Sequence, residues 1–495
     1  MKELQLGKFL PKHDWVLGAG RVIGLSLIFS CSLTAQTQGP QYPNAPSTSQ
    51  SSGLSGGSFS SQGAFNGSVP QRTATADAMP LTFKDAIDLG LKNNLGLLLQ
   101  SDNTIAARGQ KWKELSELLP NLSAEVTENV VQENLAAQGL RFPGFPSIVG
   151  PFGFFDARVY LKQTVFDFSD LERLRAAKAN EEAAKHSYKD ARDLVVLSVG
   201  NAYLLALASA ARVETAEAQV QTGQALYDKA ADQLKAGVSP AIDSLREKVE
   251  LQSRQQQAIV ARNNFAKQKL ALVRAIGLPV GQPITLTDKA PYEPLAAWDL
   301  DTSLKRAYLT RSDYLAAAQQ VRAAEYLRKS ATAEHLPSVF ISANYGDLGI
   351  TPGQSHGTYA VTGGVHIPIF AGGKAKADAL QYEAQLKQSQ QQLDNLRAQI
   401  EYEIRVALLD LNAAAEQVEV ARSSVDLAEQ TMAQARDRFT AGVADNLEVV
   451  QAQEAVAAAN ESYISSLYSH NLAKVELARA VGFAEEGVRQ YLQSH

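Results

Sequence analysis

The 495-residue chain has a single cysteine, Cys31, so neither a disulfide framework nor a cysteine-ligated metal site can be built. Aromatic residues make up only 7 % of it, and the long stretches between prolines are rich in Ala, Gln, Glu, Lys, Arg and Leu. That mixture suits long packed helices better than the core of an enzyme. There is no basic excess: the formal charge is −5, which leaves no electrostatic footprint for nucleic acid. Seven histidines, at 13, 186, 335, 356, 366, 470 and 495, show neither a His-Glu-x-x-His pattern nor any other paired metal spacing. Ala371-Gly-Gly-Lys374 lacks the spacing of a phosphate loop. Gly53-Leu-Ser55-Gly-Gly57 matches the hydrolase nucleophile elbow in letters only, because it lies in a low-complexity run with no strand or helix pattern beside it. Neither a catalytic constellation nor a cofactor site emerges.

What the chain does contain is a repeat. Asp437-Arg-Phe-Thr-Ala-Gly-Val-Ala-Asp-Asn-Leu-Glu448 echoes Asp232-Gln-Leu-Lys-Ala-Gly-Val-Ser-Pro-Ala-Ile-Asp243, with the two central glycines 205 residues apart (237 to 442). Gly237 and Gly442 suit the position just past a helix C-terminus, where a left-handed backbone penalises side chains. Ser239 is expected to cap the next helix, with Pro240 at its first turn, while Asp445 and Glu448 form a capping-box-like start. Further upstream, Leu119-Pro-Asn is matched by Leu336-Pro-Ser at an offset of 217, and Val165-Phe166 by Ile369-Phe370 at 204. The landmarks keep their order, so the chain is a tandem duplication with a sharp helix–turn–helix tip in each half.

In chain order, Lys2, Lys8, Lys12 and Arg21 precede an apolar run, Val22 to Leu33, too short to span a bilayer. This reads as a signal peptide, 1–35, ending in Leu33-Thr-Ala-Gln36; the alternative is lipoprotein processing at Cys31. Residues 36–80 form a Ser/Gly/Gln-rich tether with almost nothing to bury. The first repeat, 81–279, opens with two helices that Pro120 stops. Residues 122–131 and 158–166 alternate in polarity, the pattern of half-exposed strands, and a Pro/Gly/Phe-rich loop (140–155) separates them. Asp170 to Lys235 reads as one helix, roughly 100 Å long at 1.5 Å per residue. After the first tip (236–245) a helix returns to Ile276. A connector, 280–297, leads to the second repeat, 298–483, with strands near 339–345 and 359–370, a helix 374–440, a tip (441–450) and a helix 447–481. A tail, 484–495, closes the chain.

Each repeat thus offers one hairpin of strands long enough to cross a bilayer when tilted. Four strands cannot close a barrel, and an open edge in lipid leaves backbone groups unpaired at several kcal/mol each. Several chains must therefore share one barrel, and three chains would supply twelve strands. The expected fold class is an α+β membrane protein: a shared tube of long coiled-coil-like helices standing in water, continuous with a β-barrel to which each protomer gives four transmembrane strands.

The order helix–Pro–hairpin–long helix–Gly tip–helix, given twice after a signal peptide, resembles the TolC-like outer membrane efflux family over roughly 81–483. Leu119-Pro120, Leu336-Pro337, Phe166, Phe370 and the two tips carry the resemblance. It implies an outer membrane homotrimer, closing as a trimeric 12-stranded β-barrel with a periplasmic helical barrel, that works as the exit duct of a tripartite efflux or type I secretion system, passive and without cofactor. The implied partners are outer membrane lipid, a periplasmic adaptor (membrane fusion) protein and, through it, an inner-membrane pump of RND, ABC or MFS type. Gly237, Val238, Gly442 and Val443 fall at the tip turns where the family meets its adaptor. The family narrows and cation-tunes the pore with tip acids, and Asp243 and Glu448 occupy the corresponding positions, with Asp445 beside them. Glu448 and Asp445 can equally be a helix cap, and Asp243 a first-turn acid favoured by the helix dipole. Gln451 stands where some members carry a second carboxylate, and Ala444 where some place a gating arginine. His366 reads as a polar residue facing a barrel lumen. A non-pore periplasmic coiled-coil scaffold or adhesin anchored at the outer membrane would account for the helices and tips, but leaves the alternating strands and the aromatic loop unexplained.

Overall fold

The computed structural model describes residues 65, 67–70, 73–140, 143–288, 292, 298–441, 443–444 and 446–491. The signal segment with Cys31, most of the tether, Gly442 and Asp445 lie outside the described residues. In chain order the elements are β1 (Met79–Leu81), α1 (Phe83–Asn93), α2 (Leu95–Ser116), β2 (Asn121–Asn134), β3 (Ile148–Phe166), α3 (Phe168–Lys235), α4 (Ala241–Ile276), β4 (Ile284–Leu286), α5 (Leu300–Thr310), α6 (Ser312–Ala333), β5 (Ser338–Gly349), β6 (Ser355–His366), α7 (Lys374–Thr440), α8 (Asn446–Val481) and α9 (Ala484–Tyr491).

The order of elements in the first half recurs in the second. The starts of α1, α2 and β2 recur in α5, α6 and β5 at an offset of 217, and α4 recurs in α8 at 205. Gly277 and Gly482, just past those two helices, both take a positive φ. One turn is solved differently in each half. Asn94 is buried, and its side chain accepts from Gly96 and Leu97 N–H groups to start α2. Its counterpart Arg311 caps nothing; it is 2 % exposed, pairs with Asp313 and with Glu403 (2.6 Å), and donates to the Ala480 carbonyl (3.3 Å). A buried guanidinium is tolerated because every side of its fork finds an acceptor.

The long helices are held by narrow seams. On α7 the buried residues Ile400, Ile404, Ala407, Leu411, Ala414, Val418 and Ala421 recur at intervals of four and three, a coiled-coil stripe. With 68 residues, α3 is about 100 Å long. Within α3 lies an 18-residue window apolar enough, by length and composition alone, to cross a membrane. More than half of that window is buried, because Val195, Val196, Val199, Tyr203 and Leu207 form the first hydrophobic core with α1 and the end of α4. A second core gathers α5, α7 and the end of α8, and Phe483 packs against both. Around it, Trp298 stacks at 5.5 Å, Arg306 lies 4.2 Å above the ring, Arg192 grips Glu485 through two hydrogen bonds, and Arg479 meets Asp190 at 2.9 Å. The turn after α8 therefore fastens one repeat to the other.

The four long strands make one antiparallel sheet in the order β2-β3-β5-β6, so the two hairpins join through β3 and β5. The register sorts the faces. Leu122, Val126, Leu161, Val159, Ala343, Tyr345, Val361 and Tyr359 share one face; Asn121, Ser123, Glu125, Lys162, Arg158, Ser342, Asn344 and Thr362 share the other. Among the described residues, the outer edges of β2 and β6 have no strand partner.

Several expectations need correction. Leu81 belongs not to the first helix but to β1, which pairs in parallel with β4 inside the supposed connector. Leu81 and Ile284 are both buried in the first core, and only the folded chain brings them together. The loop 140–155 is shorter than read: β3 already begins at Ile148, and a register shift between Val131 and Glu133 accommodates Gly150 and Pro151. Pairing of β6 ends at His366, so Ile369 and Phe370, beyond Pro368, are unpaired and almost fully exposed. Ser239 does not cap α4, whose N-cap is Pro240 without a side-chain bond. Residues 484–491 of the expected tail are helical.

Asp193 sits at the junction of the repeats. Burial raises its pKa to about 6, aided by Asp190 and opposed by Arg479 and the Glu485 N–H. A carboxyl with a raised folded pKa stabilises most below its unfolded value and loses that contribution as pH rises through about 6. His470, buried and held neutral down to about 4 beside Lys474, acts oppositely: its contribution is present above the unfolded value and lost as pH falls. Asp193→Asn should therefore raise the melting stability of the detergent-solubilised protein by on the order of 2 kcal/mol at pH 7.5, and by little at pH 4. Thermal melts of both proteins at the two pH values check it.

Candidate channel site: the helical tips and the polar sheet face

At the first tip, α3 ends in a Schellman motif. Gly237, at φ +71, donates to Leu234 O, and Val238 donates to Gln233 O, both at 3.0 Å. The second tip repeats the longer bond, from Val443 N–H to Arg438 O at 3.1 Å. Such motifs usually bury the residue after the glycine against the helix. Here Val238 and Val443 instead stay 74 % and 67 % exposed, with Ile242, Leu245 and Leu447 exposed beside them.

The acids differ from each other. Asp243 lies in the first turn of α4, its side chain only 19 % exposed, with Arg246 a distant 3.9 Å away. Glu448, in the first turn of α8, is paired across the turn with Arg438 at 3.1 Å. Gly442 and Asp445 lie outside the described residues, so the cap expected between Asp445 and Glu448 is not described. The sequence reading missed what holds the two tips together. Lys229 of α3 donates to Thr440 Oγ1 of α7 (2.9 Å) and lies over the Phe439 ring, above a small core of Leu226, Ala435, Val449 and Ala452. Lys229 and Thr440 are 211 residues apart, and no local pattern links them.

The polar sheet face carries Glu125 opposite Arg158, whose Nε lies 2.7 Å from Asp156 Oδ1, with Lys162 further toward the helices. His366 falls on this face, opposite Ser338. Among the described residues no three His, Cys, Asp or Glu side chains converge as metal ligands.

The sequence profile of outer membrane efflux proteins matches residues 152–278 and 304–483, well over half of the chain. The chain belongs to the outer membrane efflux protein family. It is an outer membrane channel protein with its helices on the periplasmic side. It is 24 % identical over 481 residues to the toluene efflux pump outer membrane protein TtgF of Pseudomonas putida, covering 92 % of this chain and 96 % of that one. It is 22 % identical over 426 residues to the alkaline protease secretion protein AprF of Pseudomonas aeruginosa, covering 81 % and 86 %. In fold it resembles a membrane protein from Pseudomonas aeruginosa (TM-score 0.71, 19 % identity, covering 88 % and 99 %). The Campylobacter jejuni CmeC outer membrane channel is similar too (TM-score 0.70, 17 % identity, covering 90 % and 96 %).

For this efflux protein, Gly237 and Gly109 make a paired test. A Cβ at either glycine meets nothing within 4 Å, but only Gly237 has a positive φ. Gly237→Ala should strain the tip by roughly 1–2 kcal/mol, whereas Gly109→Ala, in the middle of α2, should stabilise by about 0.5–1 kcal/mol. Hydrogen exchange should show faster exchange confined to the tip amides in the first variant and slower exchange along α2 in the second.

Proposed function

We propose that three copies of this chain close a 12-stranded barrel and form the passive exit duct of a tripartite efflux or secretion system. The observation that carries this reading is the pair of unpaired edges on β2 and β6 in a sheet with one apolar face. In a bilayer those edges must be satisfied, and β6 of one copy runs antiparallel to β2 of the next, as closure requires. The exposed valines and leucines of the tips are the face offered to a periplasmic adaptor, which links the duct to an inner-membrane pump. Asp243 and Glu448 supply a ring of six acids in the trimer, which focuses a cation-favouring field at the periplasmic entrance. The relatives named for toluene efflux and protease secretion carry different cargo, and the duct itself performs no catalysis.

Single-channel recording in planar bilayers tests this. The purified protein should give discrete channels that prefer cations, and the Asp243→Asn/Glu448→Gln double variant should lose most of that preference. Channels with unchanged selectivity would reduce both acids to structural roles. A correctly inserted protein that never conducts and runs as a monomer after cross-linking would sink the duct.

A further inference from the structure

The charges on the polar face of the sheet are not spread evenly. Reading across the register from the helical end, the row Asn121–Lys162–Ser342–Thr362 carries one charge, and the row Ser123–Tyr160–Asn344–Ala360 carries none. The next row holds Glu125 opposite Arg158, and Arg158 is ion-paired with Asp156 one row beyond. These outer charges sum to −1 per protomer, with Arg158 the counter-ion of Asp156. Lys162 has none: it is exposed, and no carboxylate among the described residues pairs with it. Arg158 and Glu125 are four residues along the strand, about 13 Å at 3.3 Å per residue, beyond the Debye length of about 8 Å at physiological salt.

Three acids at the foot of the sheet are already engaged. Asp167 accepts from the Ser169 and Asp170 N–H groups, Asp170 pairs with Arg173, and Glu334 pairs with Lys374 at 3.3 Å. His366 is the nearest titratable group on the same face toward the helices.

We propose that Lys162 is a selectivity-determining residue of the channel, three copies of it forming a positive belt at the periplasmic end of the barrel lumen that favours anionic solutes. This rests on the trimeric barrel proposed above. In a closed barrel the row of Lys162 faces the lumen, and the low-dielectric wall concentrates the field of three ammonium groups along the axis. The duct is then bipolar: acids at the tips favour cations, and the belt, at the far end of the roughly 100 Å of α3, favours anions. Each end filters differently, so the permeability of the whole depends on which charge is removed.

The test compares wild type with Lys162→Gln and Lys162→Glu in planar bilayers under a KCl gradient. Glutamine should lower the chloride-to-potassium permeability ratio about twofold, and glutamate should lower it further. The differences should shrink in 1 M salt, where the Debye length is about 3 Å. Open channels whose selectivity at low salt is the same in all three proteins would overturn the proposal. Cysteine labelling in intact outer membranes separates that failure from failure of the barrel itself. If Lys162 faces the lumen, Lys162→Cys reacts with a water-soluble maleimide and its neighbour Leu161→Cys, on the lipid face, does not. Labelling of Leu161→Cys alone would refute the belt while leaving a barrel of opposite facing. Equal labelling of both would remove the barrel wall and the belt together.

Discussion

The constraint on which the rest of this structure depends is that backbone N–H and C=O groups inside a bilayer must be paired within the protein. A four-stranded sheet with free edges cannot meet it alone. The alternation of the strands has the same origin, since one face must be apolar for lipid and the other is free to be polar. Irregularities are pushed to the ends: the register shifts lie between Val131 and Glu133 and between Thr164 and Phe166, leaving the middle of the sheet regular.

The helical part obeys the opposite rule. In water the backbone of α3 or α7 satisfies itself, and what limits such helices is the small area each buries along its length. They are held by seams of alanine and single aliphatic residues, punctuated by a few dense points. The densest is the junction where the cores of both repeats meet Phe483, between Trp298, Arg306 and the Arg192–Glu485 pair. A second, thinner fastening near the tips rests on Lys229, Thr440 and the Leu226 cluster. Between these points Arg212 of α3 meets Glu461 of α8 at 2.8 Å and Arg262 of α4 meets Glu217 of α3 at 2.7 Å, so ion pairs supplement the thin apolar seams.

Duplication supplied two halves with the same order of elements, yet the fastening is asymmetric. Asn94 performs a local task, starting the next helix, whereas Arg311 at the equivalent position abandons it to join α5 to α6, α7 and α8. Glu448 has Arg438 across its turn at 3.1 Å, while among the described residues Asp243 has the more distant Arg246 at 3.9 Å. A repeated fold therefore does not imply repeated chemistry at its two tips.

Read alone, the sequence determined the features that recur at short range: helix and strand periods, the Gly237 turn, the duplicated order and the polar and apolar faces of the strands. Each of these is set by residues within one or two turns of one another, so local spacing carries the information. The tertiary structure decided what depends on partners far along the chain: the pairing of β1 with β4, the early start of β3, the burial of an apolar window in α3, and the contacts of Lys229, Arg311 and Phe483. A lysine on a helix or an arginine in a turn has the same local signature whether it is solvated or joins two repeats. Only the long-range packing of the helices distinguishes the two.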